Sequence, residues 1–246
     1  VRIEAAGGKG EQAELHYITD PWTAHDQTVA MERHDDTWSA EIEVPDEAKA
    51  VFFYVSTGED DAQLSELGPL SLRHASPTDR KILRRYRHSF LVHGADGKPV
   101  QSAEFYRATM AKYQGKPLEE SLFHLDRELA LHPDNFPIHS ERWRYMLEEN
   151  GSSTDLQRRI KTEHAALIAQ FPDRPEPLRV ASSFWPVYGR DGEIYDDNLA
   201  YLEEMYHQLC RRFPDSEEAQ VSGYLMANKF FFARSYQKLA STSREF

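Results

Sequence analysis

The chain has 246 residues, 28% of them charged, and a formal net charge of −12. Its 13 Phe, 12 Tyr and 4 Trp supply the ring area of a packed core and exclude a disordered chain, and the acidic balance excludes general nucleic-acid binding, which rests on neutralising phosphates. Apolar runs of only a few residues exclude a membrane-spanning helix, and the single cysteine, Cys210, excludes an internal disulfide, a CxxC redox pair and a cysteine-rich zinc site.

Val1 to Ala5 is a short apolar start, followed by the GGKG of Gly7 to Gly10. Ala13 to Thr19 alternates as a strand and ends at Asp20-Pro21, and Thr28 to Glu32 supplies another that leads through His34-Asp35-Asp36. The clearest alternation of the chain follows, from Thr37 to Val55, and reads as a hairpin. Trp38, Ala40, Ile42 and Val44 share one face and Ser39, Glu41, Glu43 and Pro45 the other, the pattern of a strand with one buried and one wet side. Beyond a turn at Pro45 to Lys49, Ala50 to Val55 is apolar on both faces, which predicts a central strand whose second face is covered by a further layer. Ser56 to Gln63 reads as a surface loop, Gly68-Pro69 as a turn, and Ser89 to His93 as a last strand closed by Ala95-Asp96-Gly97-Lys98. About seven short strands at such spacing predict an antiparallel all-β sandwich, Ig-like or starch-binding-like, over residues 1–99.

Charge is unevenly placed along this half. Residues 1–72 carry 16 acids against 4 bases, whereas residues 73–99 carry 7 bases against 2 acids. The run Arg73, Arg80, Lys81, Arg84, Arg85 and Arg87 is either a solvated stretch offsetting the acidic strands or a site for an anion or acidic partner.

From Ser102 the hydrophobic period changes from 2 to 3.6. Ala103, Tyr106, Met110 and Tyr113 make one stripe, and Leu118, Leu122, Leu125 and Leu129 a second that starts after Pro117. Leu156, Ile160, Leu167 and Phe171 line a helix behind Ser153-Thr154-Asp155, and Leu199, Leu202, Tyr206, Leu209 and Phe213 line one behind Asp196-Asp197. A Pro-Asp helix ending recurs at Pro133, Pro172 and Pro214, spaced by 39 and 42 residues. Proline cannot continue a helix and Asp helps to start the next, so the recurrence predicts helix pairs. These endings resemble those of tetratricopeptide repeats, which implies an all-α tetratricopeptide-like array over residues 100–246.

The pattern Met31, ERHDDT, Trp38, AEIEVP and then VFFYV resembles the core of family-25 and related starch-binding carbohydrate-binding modules. That resemblance implies a sandwich whose exposed aromatics stack on sugar rings. Where those modules carry a Trp-containing loop this chain has Ser56 to Ala62 without one, which makes Trp22 the stacking platform on offer, or else an anchor closing the sandwich edge. Taken with the Asp96 to Val100 turn DGKPV, a starch-binding-like sandwich followed by tetratricopeptide-like helices resembles the N-terminal region of bacterial exported thioredoxin-like proteins. The resemblance implies a periplasmic or extracellular location and a thioredoxin-fold domain following the helices.

No GxSxG, HExxH or phosphate-loop pattern occurs, so the expectation is a non-catalytic region without cofactor or metal. His124, Glu128 and His132, one helical turn apart, are either a metal-like set or a solvated helix flank. Cys210, beside the Leu209 stripe, reads as a small hydrophobe rather than a reactive thiol. Two binding functions follow: a protein or peptide partner on a concave helical face, with Trp143, Tyr145, Trp185, Tyr188 and Arg190 as candidate anchors or core packing, and a polysaccharide at Trp22.

Overall fold

A computed structural model of the chain describes residues 1–6, 12–19, 27–57, 83–150, 153–184 and 196–232. Seven strands and seven helices fall among the described residues, strands first. The strands are β1 (Arg2–Ala6), β2 (Glu14–Thr19), β3 (Gln27–Ala30), β4 (Glu32–His34), β5 (Thr37–Glu41), β6 (Ala50–Ser56) and β7 (His88–Leu91). They form two antiparallel sheets, one in the order β1-β5-β4 and one in the order β3-β2-β6-β7.

β5 buries Trp38 and Ala40, but Ser39 between them, expected on a wet face, is buried as well, and Ile3 of β1 lies opposite Ala40 in register. Ile3, Trp38, Ala40 and Ile42 share one hydrophobic cluster with Leu15 and Tyr17 of β2 and Val51 of β6, so the core draws on both sheets. β6 lies between β2 and β7, as a strand apolar on both sides should. Val51, Phe53 and Val55 turn to that shared cluster, while Ala50, Phe52 and Tyr54 turn to a second one with Ile18, Leu83, Tyr86 and Leu91.

The expected hairpin of residues 37–55 does not form. β5 pairs with β1 and β4, and β6 with β2 and β7, so residues 42–49 carry the chain from one sheet to the other. Alternation states which face of a strand is wet; it says nothing of the neighbour along the hydrogen-bonding edge. The hairpin lies one turn earlier, where β4 and β5 pair across Asp35-Asp36, and Asp35 takes φ 53°, a left-handed conformation that Asp tolerates. The single strand expected over Thr28 to Glu32 is likewise split. β3 belongs to the second sheet and β4 to the first, and the chain crosses at buried Met31, whose N–H donates to the Ala13 carbonyl at 2.9 Å.

Helix α1 (Ala103–Tyr113) provides the layer that β6 requires. Ala103 and Met110 are part of the second cluster and Tyr106 and Tyr113 pack against it, which is the stripe read from the sequence. Gln114, just past the helix, donates to the carbonyls of Leu83 and Tyr86 at 3.2 and 2.6 Å and ties that segment down. Helix α2 (Leu118–Leu131) packs on α1, with Ser121, Leu125 and Glu128 as its buried residues. The change from strands to helices thus falls where the period changes, but the chain divides into compact units later, between Asn135 and Phe136 rather than at 99/100. α1 belongs with the strands because its apolar stripe covers the second face of β6.

The second unit contains α3 (Phe136–Asn150), α4 (Thr154–Gln170), α5 (Glu176–Phe184), α6 (Asp196–Arg212) and α7 (Glu217–Phe232). α5 touches each of the other four. Each Pro-Asp ends a helix in the same way. The residue before the proline donates its N–H back to a carbonyl four residues earlier (His132 to Glu128, Phe171 to Leu167, Phe213 to Leu209), and its own carbonyl accepts from the N–H three residues on. The next helix begins within five residues of each ending. At α7 the cap is a serine and not the Asp, Ala219 N–H donating to the Ser216 hydroxyl; α4, which follows no Pro-Asp ending, is capped by Ser153, whose hydroxyl accepts from Leu156 N–H.

Candidate functional site

Buried ionisable groups are the first place to look for chemistry, because desolvation perturbs them most. Glu128 and Glu104 are both fully buried, on facing helices. The start of α1 has no side-chain cap of its own; Ser102 there sits at φ 71°. The Glu128 carboxylate supplies the cap from α2, accepting from the N–H of Ser102 at 2.5 Å and of Glu104 at 3.2 Å, with a third bond from the Asn135 amide at 3.0 Å. Glu104 accepts from His124 Nδ1 at 2.6 Å and lies 3.1 Å from the Arg127 guanidinium. Burial pushes its carboxyl up, but the His124 hydrogen bond and the Arg127 and Arg107 charges outweigh it, and the net shift is downward.

His124, Glu128 and His132 therefore face three different partners, His132 donating to the Pro99 carbonyl at 3.2 Å. No group of three metal-ligating side chains occurs among the described residues. Nor are the three a solvated flank: they form a polar seam that holds α2 to α1 and to the end of the strand region.

The second unit treats its buried and half-buried polar groups similarly. Glu163 of α4 accepts from the Trp143 indole N–H and from Arg142, both at 2.8 Å, and from Arg159 at 2.9 Å. Burial raises its carboxyl, and these donors bring it below the ordinary range. His164 donates Nε2–H to the Pro177 carbonyl at 2.7 Å, so its Nδ1 accepts from the Tyr201 hydroxyl at 2.6 Å, a tautomer assigned from the partners. Burial pushes this imidazole down and the Tyr201 hydroxyl up to about 12.

The candidate anchors separate accordingly. Trp143 is 1% and Tyr145 3% exposed, inside the second unit, and Arg144 stacks over the Tyr145 ring at 5.1 Å. Their burial is that of packing residues. Trp22, Trp185, Tyr188 and Arg190 lie outside the described residues, as do Arg73, Arg80 and Lys81 of the basic run. Cys210 is half-buried on α6.

Two clefts remain. In the second unit, one of about 560 Å³ opens between the starts of α4 and α6, lined by Thr154, Gln157, Arg158, Lys161, Asp196, Asp197 and Asn198. The described lining residues are polar or charged, with both signs of charge present, though their carbon stems make much of the surface. In the first unit, a cleft of about 160 Å³ is lined by Arg87 and Ser89 at β7, by Arg107, Met110 and Gln114 of α1 and its end, and by Lys116 and the Glu120 and His124 of α2, over Phe52 and Tyr86. Sequence reading missed Arg107. Its position was the available signal, since Arg107 stands four residues after Ala103 and three before Met110, a charge on the apolar stripe itself.

Comparison with protein-family models, with curated proteins and with solved structures finds no match for this chain.

Proposed function

We propose that the chain is a non-catalytic protein-interaction region, the N-terminal part of a larger exported thioredoxin-like protein, with a starch-binding-like sandwich followed by tetratricopeptide-like helices. The observation that carries this reading is the cleft between α4 and α6. It is large enough for a peptide segment, and its described lining residues, polar or charged with both signs present, suit a peptide backbone and charged side chains. The use of Glu104, Glu128, Glu163 and His164 in joining elements also supports binding over turnover, since a general acid or base must reach a substrate. Tyr188 and Arg190, eight and six residues before α6 in the sequence, are of the residue types that anchor partners and are tested with the cleft for that reason. The test is a pull-down from extract of the source cells with the wild-type chain and with Lys161→Ala, Tyr188→Ala and Arg190→Ala. One recovered protein, lost in variants whose circular dichroism is unchanged, is the expected result; equal recovery with all four chains overturns the reading.

The second reading is a carbohydrate-binding module with a sugar stacked on Trp22, favoured by the Met31 to Val55 pattern and by a core shared between two sheets. A glycan array probed with the whole chain and with Trp22→Ala checks it. Sugar signals that persist unchanged in the variant, or none at all, exclude that site.

A further inference from the structure

We infer that the cleft bounded by β7, α1 and α2 is an oxyanion site, taking one carboxylate or phosphate group carried on a short apolar stem. The inference stands apart from the protein-binding reading, which rests on the other unit. Three full positive charges, Arg87, Arg107 and Lys116, line the cleft against one carboxylate, Glu120, which is already paired with Lys116 at 2.5 Å. In a chain of net charge −12, a cation-lined concavity is an exception that needs a reason.

Arg107 supplies the sharper observation. Its Nη2 donates to the Ser89 carbonyl at 3.2 Å, yet its Nε is buried and has no hydrogen-bond partner among the described residues. A buried guanidinium N–H left unmet is costly, and a charged donor of this kind matches an anion better than any neutral group. The Arg107 charge reaches the buried Glu104 carboxylate, but that group takes its hydrogen bond from His124 and its ion pair from Arg127, and none from Arg107 Nε. The floor beneath the charges is apolar, with Phe52, Tyr86 and Met110 all buried. A volume of about 160 Å³ admits an oxyanion with a few carbons and falls below the size of a pocket for a drug-sized ligand, about 300 Å³ or more. Arg87 is also the one member of the basic run of residues 73–87 that lines this cleft among those described, which gives part of that run a use other than solvation.

The experiment titrates the full chain, followed by amide chemical shifts, with inorganic phosphate, with butyrate and with butyramide as the uncharged counterpart. Expected are saturable shifts at Ser89, Arg107 and Gln114 with phosphate or butyrate and none with butyramide, and affinity falling about tenfold in Arg107→Gln. Whichever anion binds tighter identifies the source of the group. Because Arg107 also holds β7, the exposed Arg87→Gln and Lys116→Gln variants are measured beside it, each weakening binding severalfold with the fold intact. Absence of shifts with both anions at about 50 mM, equal shifts with butyramide, or affinities unchanged in Arg87→Gln and Lys116→Gln would overturn the site.

Discussion

Glu128 is the side chain whose neighbours say most about how this chain holds together. A carboxylate with no exposure is normally an unfavourable group. Here it meets two of the orphan N–H groups that every helix start presents, at the positive end of the α1 dipole. Glu128→Ala removes the acceptor and leaves those donors buried, and we expect a loss of about 3 kcal/mol in urea unfolding. Glu128→Gln keeps one oxygen but not the charge and should lose about half as much. Trp38 gives the contrasting case. It is 3% exposed and its indole N–H has no acceptor among the described residues, so its contribution is packing, with the Arg33 guanidinium 5.6 Å from the ring centroid. Trp38→Ala is expected to cost about 3–5 kcal/mol by thermal melting, and Trp38→Phe only about 1 kcal/mol. The burial of Trp38 was legible in its alternation. That of Glu128 was not, because a hydrophobic pattern records only groups that avoid water. The Leu118, Leu122, Leu125 and Leu129 stripe therefore drew the eye one step round the helix from the buried Ser121, Leu125 and Glu128.

Among the elements, α4 carries the pH-sensitive contact. His164 is buried among Trp143, Tyr201 and the Pro177 carbonyl, with the His139 charge nearby, and is held neutral below its ordinary value of about 6.5. In the unfolded chain the same imidazole takes up a proton as pH falls through that value, while the folded one does not. Stability is therefore full above about pH 6.5 and declines toward acid. Between pH 7.5 and 5.5 the wild type is expected to lose about 1 kcal/mol more than His164→Gln, read as the difference in urea midpoints. Glu104 and Glu163, whose carboxyls lie low in the fold, add their own loss only at pH values below about 4.5. Helix endings were legible at this scale because proline's missing N–H is a covalent fact, the same at Pro133, Pro172 and Pro214. Strand partners were not: Trp38 and Phe52 each declare a buried face, and neither declares which edge its strand pairs along.

For the molecule as a whole, the division between Asn135 and Phe136 makes a prediction that the change of hydrophobic period does not. A fragment of residues 1–135 keeps α1 over Ile18, Phe52, Tyr54, Leu83, Tyr86 and Leu91, whereas a fragment of residues 1–99 exposes that whole face. The longer one is expected to unfold cooperatively with a native near-ultraviolet circular dichroism signal, and the shorter one to bind a hydrophobic dye and lack that signal. Equal behaviour of the two would mean that α1 adds little to the sheet it covers.

Capping one helix from another also fixes the order in which the first unit comes apart. The Ser102 and Glu104 amides are held by a residue 26 and 24 positions away, so fraying of α1's own first turn does not free them. Their exchange with deuterium clocks the departure of α2. Both should show one shared protection factor, high in the wild type and falling together in Glu128→Gln, while amides in the middle of α1 exchange on a separate, slower schedule.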